Sequence, residues 1–216
     1  MSSAPQSAQR LLALTGLTLT LGLVLLHGNQ IGERFLGMSP LASRDLFWWP
    51  LLAIVLLYIL VVERRPLTSI GIRKPTWKTA AYGMGTAALA SWAIGPASTY
   101  VVDYFHLHTN AGAEQALADT PYWYHVLIVT RAALAEEVVF RGYAIERIQE
   151  LTGSRLVAGA VSLIAFTLAH LSYWGLAPLI FVASAGFVLT LLYLWRRDLI
   201  ANIIAHFLTD AMALLL

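Results

Sequence analysis

Glu136 and Glu137 with Arg141, Phe166 with His170, and Asn202 with His206 and Asp210 are the residues of this chain whose types and spacing could do chemistry. Carboxylates and imidazoles move protons near neutral pH, and here they interrupt stretches that are otherwise almost wholly apolar. In residues 135–142, Ala-Glu-Glu-Val-Val-Phe-Arg-Gly, Glu137 and Arg141 are four apart with the acid on the amino-terminal side. That is the better orientation for an ion pair within a helix, so Glu137 is taken up by its own helix. Glu136 points about 100° away around the same helix and has no partner four residues along. It is free to meet another helix or a water molecule, and it is the candidate general base. Asn202, His206 and Asp210 recur every four residues and make one polar stripe along a helix that is otherwise apolar.

Composition restricts the elements that can position these groups. The chain has 216 residues, of which 58% are hydrophobic and 12% charged, with no cysteine. A soluble domain carries about 25% charged residues, so a solvent-facing shell on every side is excluded and the chain reads as a membrane protein. The lack of cysteine excludes disulfides, thiolate nucleophiles and sulfur-based zinc sites. A formal charge of +2, with no basic run interleaved with aromatics, excludes a nucleic-acid partner. Four charge-free stretches, 11–26, 46–62, 79–102 and 177–195, approach the ~20 apolar residues needed to cross a bilayer. Three more, 123–139, 156–171 and 199–216, are apolar but carry ionisable groups. The expected fold is all-α, a polytopic transmembrane helix bundle of about seven spans, with residues 1–216 forming a single integral membrane domain.

The first span resembles a signal peptide in following Arg10, but Leu-Leu-His-Gly-Asn comes after it with no small-x-small cleavage pattern, so it is expected to remain a span. With the amino terminus inside, the inner segments hold Arg10, Arg64, Arg65, Arg73, Lys74, Lys78, Arg147, Arg155, Arg196 and Arg197, and the outer ones Arg34 and Arg44. Ten basic residues against two place the amino terminus in the cytoplasm and the carboxyl terminus outside. Trp48, Trp49, residues 122–124, Tyr173, Trp174, Tyr193 and Trp195 fall at span ends, as interfacial anchors do. Gly83, Gly85, Gly95 and Pro96 mark the third span as closely packed or bent. His106 and His108 in the outer loop lack a third ligand and read as solvated.

A charged side chain at the bilayer centre costs ~2.5 to 3.5 kcal/mol on insertion scales, yet three spans carry ionisable groups and four carry none. Such groups are expected to face a protein-lined interior and one another. The chain turns near Gly153, with Glu136 17 residues before it and His170 17 residues after it. Antiparallel helices of equal arm length therefore bring Glu136 and His170 to one depth, with the charged patch 146–150 and Arg155 at the cytoplasmic tip. His206 lies nine residues past Arg197, or ~14 Å along a helix, which is mid-depth in a ~30 Å hydrocarbon layer.

The ordered set Glu136-Glu137-x-x-x-Arg141, Phe166-x-x-x-His170 and His206-x-x-x-Asp210 resembles the CPBP family, the CAAX prenyl proteases and bacteriocin-processing or self-immunity proteins, also called Abi. The resemblance covers about residues 120–216, the family-like catalytic core; Ile70-Gly71-Ile72-Arg73-Lys74-Pro75 is only weakly similar to the juxtamembrane stretch of bacterial members. It implies an intramembrane endopeptidase in which Glu136 is the base, His170 orients or deprotonates the water, and His206 donates to the oxyanion. Glu137 and Arg141 buttress them. Where the eukaryotic prenyl proteases have Asn, this chain has Asp210. An ionised carboxylate cannot donate, so Asp210 is protonated, holds His206 in its donating tautomer, or belongs to a metal shell; the second is preferred.

The same side chains also suit a metal. Glu136, His170 and His206 could offer Zn²⁺ one carboxylate and two imidazoles and leave a fourth position for water. The expected partners are a peptide or membrane-protein substrate and the lipid bilayer, in a bacterial cytoplasmic membrane. The rival readings are a non-catalytic self-immunity or scaffold protein and a proton or ion pathway, both of which would use a polar pocket in a bundle.

Overall fold

Apolar segments in lipid can satisfy their backbone groups only within a helix or a closed barrel. The computed structural model, which describes residues 6–215, is helical throughout and has no strand among the described residues. The helices are α1 (Gln6–Leu25), α2 (Ile31–Leu36), α3 (Pro40–Leu57), α4 (Trp77–Leu89), α5 (Gly95–Tyr104), α6 (Ala111–Ala118), α7 (Tyr122–Arg131), α8 (Glu146–Thr152), α9 (Arg155–Trp174), α10 (Pro178–Arg196) and α11 (Leu199–Leu214). Three wider π-type stretches join or extend them: Tyr58–Val62 after α3, Ala90–Ile94 between α4 and α5, and Ala132–Ile145 between α7 and α8. The second has a local cause, because Pro96 has no N–H to return to the carbonyl four residues earlier and its ring crowds that turn.

Four helices are long and apolar enough to cross a membrane, Ser7–Leu25, Pro40–Val62, Arg155–Trp174 and Pro178–Arg196, and Leu199–Leu214 is a shorter apolar helix. The two remaining expected spans, 79–102 and 123–139, are also helical but run through π-type turns. Leu11, Ile54, Leu57, Trp92, Ile164 and Leu168 are exposed, the pattern of a bundle whose outer surface faces acyl chains rather than water.

The interior is built around Ala132–Ile145, nearly every residue of which is buried. Trp48, Val55, Ile59, Phe140, Tyr143 and Phe166 pack there in one cluster. Gly83 lets α4 and α11 approach, since a Cβ at that position would lie 2.7 Å from Ile204 Cγ2. At Gly153 the backbone adopts φ 73°, a left-handed cap that ends α8, and Ser154 begins α9 by accepting from the Val157 amide.

Several expectations are corrected here. Trp48 and Tyr193 are not interfacial anchors but core residues, Trp48 against Phe140 and Tyr193 donating its hydroxyl to Glu146. Arg44 is not an outer-loop cation: α3 begins at Pro40, on a Ser39 cap, which carries Arg44 into the bundle, where it is buried. Within the patch 146–150 the charges are paired. Arg147 Nε donates to Glu63 at 2.9 Å and Glu146 pairs with Arg197, so these charges tie the linker after α3 and the α10–α11 turn to α8.

The expected orientation has a direct test, because the chain has no cysteine of its own and both His108 and Lys74 are exposed. In intact bacterial cells, a membrane-impermeant maleimide is expected to label His108→Cys and to reach Lys74→Cys only after permeabilisation. The reverse pattern would invert the topology.

Candidate active site

Two adjacent carboxylates on the central helix have different surroundings. Both are buried, Glu136 at 2% and Glu137 at 0% exposure. The sequence alone places them about 100° apart on an α-helix. The π-type winding of Ala132–Ile145 puts more residues in each turn and so less angle between neighbours, which keeps both acids on the interior side.

Glu137 is saturated. Its Oε1 accepts from Arg141 Nη1 at 2.9 Å and from His206 Nδ1 at 2.8 Å, and its Oε2 accepts from Asn202 Nδ2 at 3.2 Å. Arg141 also donates from Nη2 to the Gly186 carbonyl at 3.1 Å and lies with Cζ 4.0 Å from the centre of the Phe166 ring. Asn202 further donates to the Leu189 carbonyl at 2.8 Å. A single carboxylate thus holds together the central helix and α11, and through Arg141 and Asn202 reaches α9 and α10.

Glu136 is the opposite case. Its Oε2 is buried without a hydrogen-bond partner, and the nearest basic atom is His170 Nε2 at 3.4 Å, close but not aligned as a hydrogen bond. His170 Nδ1 is 2.8 Å from the Phe166 carbonyl. A carbonyl can only accept, so Nδ1 carries the proton and Nε2 is the edge presented to Glu136. The equal-arm argument about Gly153 therefore holds: the two side chains meet across the α8–α9 hairpin.

His206 stands between two acids, with Nδ1 on Glu137 and Nε2 3.4 Å from Asp210 Oδ2. Nδ1 donates to Glu137, and Asp210 stands by the nitrogen on the opposite edge of the ring. Four residues further along the same helix, Asp210 reaches only the Nε2 edge. Glu136, His170, His206 and Asp210 all line one cavity of about 300 Å³ together with Phe166 and Arg131. The three side chains named for a metal are not drawn into a ligating set, and no group of three or more His, Cys, Asp or Glu among the described residues is arranged to hold an ion. One imidazole edge of His206 is committed to Glu137 and the other is turned to Asp210.

The cavity also has a second charged rim that spacing along the chain did not reveal. Arg131 Nε lies 2.7 Å from Asp45 Oδ1, Tyr124 donates its hydroxyl to Asp45, and Arg44 stacks with Cζ 4.3 Å over the Tyr173 ring. The available signal was the Arg44-Asp45 pair directly ahead of a charge-free run, matched by the lone cation Arg131 in another span.

Residues 118–212 match the family described as Rce1-like, the type II CAAX prenyl endopeptidase Rce1-like family. Over these residues the chain is similar to that family. It is a family of proteases, and with the apolar helices it makes the chain an integral membrane protein. No curated protein and no solved structure matches the chain. The Rce1-like region contains Glu136, Glu137, Arg141, His170, His206 and Asp210, whereas Arg44 and Asp45 lie outside it.

Removing one member of a buried pair strands its partner's charge, at a cost of about 3–5 kcal/mol. Arg141→Met is therefore expected to lower the apparent melting temperature of the detergent-solubilised protein by roughly 10 °C. Adding Glu137→Gln to it should recover part of that loss. A single variant that melts with the parent would remove Glu137 and Arg141 from the centre of the fold.

Proposed function

We propose that the chain is an intramembrane endopeptidase in which Glu136 and His170 activate a water molecule for attack on a peptide carbonyl. The observation that carries this reading is the pair itself: a buried carboxylate oxygen without a hydrogen-bond partner and an imidazole Nε2, 3.4 Å apart on the wall of one cavity. Both are acceptors when Glu136 is ionised and His170 is neutral. A water in the cavity can donate one hydrogen to each, and its oxygen lone pair is then turned toward a substrate carbonyl.

In the proposed step the water oxygen bonds to the carbonyl carbon while its proton passes to Glu136. The carbonyl oxygen becomes an oxyanion. His206 meets the cavity with its Nε2 edge, because Nδ1 donates to Glu137; held between Glu137 and Asp210 as an imidazolium, it carries a second proton on Nε2 and donates it to that oxyanion. Glu136 then returns its proton to the leaving nitrogen, the C–N bond breaks, and a carboxylic acid and an amine result. Glu137 and Arg141 act as positioning residues, through the rings and amides they hold. Asp210 lies beside the working edge of His206 and bears on its orientation. The family name supplies the peptidase class, and a peptide or membrane-protein terminus is the proposed substrate, in the cytoplasmic membrane of a bacterium. Residues 1–216 act as one membrane domain in this reading, with the catalytic core at about 120–216.

The test is cleavage of a membrane-anchored peptide by purified protein in lipid nanodiscs. Glu136→Gln and His170→Ala are each expected to lower kcat by about 10²–10⁴-fold, and His206→Ala by about 10²–10³-fold, with melting temperatures of the first two near that of the parent. Full activity in both Glu136→Gln and His170→Ala would overturn the assignment.

A further inference from the structure

Far from the catalytic cavity, at the basic end of the bundle where α10 ends and α4 begins, one arginine is held by aromatic rings rather than by an acid. Arg196 lies with Cζ 4.6 Å from the centre of the Tyr82 ring and 5.2 Å from that of Trp195, and the two rings meet edge to face at 4.9 Å. Its neighbour Arg197 pairs with Glu146, whereas no ion pair among the described residues includes Arg196. The Arg196 Nε is buried without a hydrogen-bond partner.

No carboxylate at this end is left to neutralise it. Glu63 and Glu150 hold Arg147 and Arg65, and Glu146 holds Arg197. Asp198 accepts from the Thr79 hydroxyl and caps α11 at the Ala201 amide. Lys78, one turn before Tyr82 on the same face of α4, likewise has a ring and no acid, with Nζ 5.7 Å from the centre of Trp77. A guanidinium braced by rings keeps its N–H fork for a ligand, and that fork matches phosphate.

The surface beside this cradle is apolar. Phe187, Leu191 and Trp195 recur every four residues on α10 and are 51%, 46% and 65% exposed, a stripe that runs from the arginine toward mid-membrane. Charge at one end and acyl-facing rings and leucine along the other match a ligand with an anionic head and an apolar tail. An acidic protein segment would meet the cations and leave the stripe uncovered. Basic pockets between transmembrane helices at the cytoplasmic side take lipid phosphates, and this is the end expected to be cytoplasmic.

We propose that Arg196, with Lys78, binds the phosphate of an anionic phospholipid whose acyl chain lies along the Phe187, Leu191 and Trp195 face of α10 beside α4. Neither residue lines the catalytic cavity, so the site stands whether or not the chain cleaves peptides. A lipid held there bridges α4 and α10 and stabilises the folded bundle, because it binds only where the two helices lie side by side.

The test uses the full-length, delipidated protein in detergent, titrated with phosphatidylglycerol, with phosphatidylcholine of the same acyl chains, and with inorganic phosphate, read by melting temperature and by lipid retained in native mass spectrometry. Phosphatidylglycerol is expected to raise the apparent melting temperature by roughly 5 °C more than phosphatidylcholine. Arg196→Gln should weaken its binding about tenfold and Lys78→Gln by less, with phosphatidylcholine unaffected. Arg64→Gln, which removes an exposed cation from the same end, should leave binding within about twofold. The proposal is overturned by equal binding of the two lipids, by an Arg196→Gln variant that binds as the parent does, or by an equal loss in Arg64→Gln, which would mark diffuse surface charge. Inorganic phosphate or a soluble acidic peptide that reproduces the shift, with the same dependence on Arg196, overturns the lipid assignment. If Arg196→Gln does not fold, the parent's preference between the two lipids and the Lys78→Gln variant still decide.

Discussion

The polar interior depends on the three hydrogen bonds that converge on Glu137. In water, helices gather because apolar faces leave solvent; in lipid that force is absent between helices, and packing with interhelical hydrogen bonds takes its place. Arg141, Asn202 and His206 all donate to this one carboxylate, and two of the three arrive on α11. Removing Glu137 would therefore leave three buried donors without their shared acceptor, while the apolar surfaces around them would stay as they are. The register of α11 against the central helix, and with it the position of the His206 ring, is set by polar chemistry rather than by hydrophobic burial.

Small residues make that chemistry reachable. Gly186 would carry a Cβ 2.9 Å from Phe166 Cε1, so its lack of a side chain lets the Phe166 ring lie against α10 and under the Arg141 guanidinium. The same residue offers its carbonyl to Arg141 and also to Thr190. Phe166 in turn gives its own carbonyl to His170. One aromatic residue thereby touches both halves of the site, the saturated half through its ring and the working half through its backbone.

Much of this was legible in the sequence wherever the information is local. A four-residue spacing on a helix says which groups share a face, and so the Glu137–Arg141 pair and the Asn202–His206–Asp210 stripe could be read directly. The hairpin was readable for a related reason: a glycine turn flanked by two long helices converts distance along the chain into depth, which brought Glu136 to His170. What could not be read were contacts whose partners are remote and whose helix begins earlier than its hydrophobicity. Arg44 precedes the charge-free run 46–62, so counting apolar residues left it outside. A Ser39 cap and Pro40 at the helix start are what bring it in. The Glu137–His206 contact was hidden likewise, because Glu137 reaches the ring from another helix while Asp210, the neighbour visible in the sequence, lies on its opposite edge.

The two adjacent acids show how structural and chemical demands are divided. A carboxylate that accepts three strong hydrogen bonds has its lone pairs committed and is a poor acceptor for a further proton, which suits Glu137 to holding helices together. Glu136, one residue earlier, keeps one buried oxygen without a hydrogen-bond partner and faces an imidazole that its own helix cannot supply. A fold selected only for stability would pair that oxygen as it pairs Glu137, Glu146 and Glu63. Leaving it unpaired beside a cavity costs stability, and that cost is offset by the network anchored one residue away. The same contrast separates Arg44, whose Nη1 is buried without a hydrogen-bond partner, from Arg141 and Arg147, which pair with Glu137 and Glu63. Among the buried charges, those left unsatisfied thus lie on the cavity wall, one acid and one guanidinium rim, while the surrounding helices carry almost every other buried charge in closed pairs.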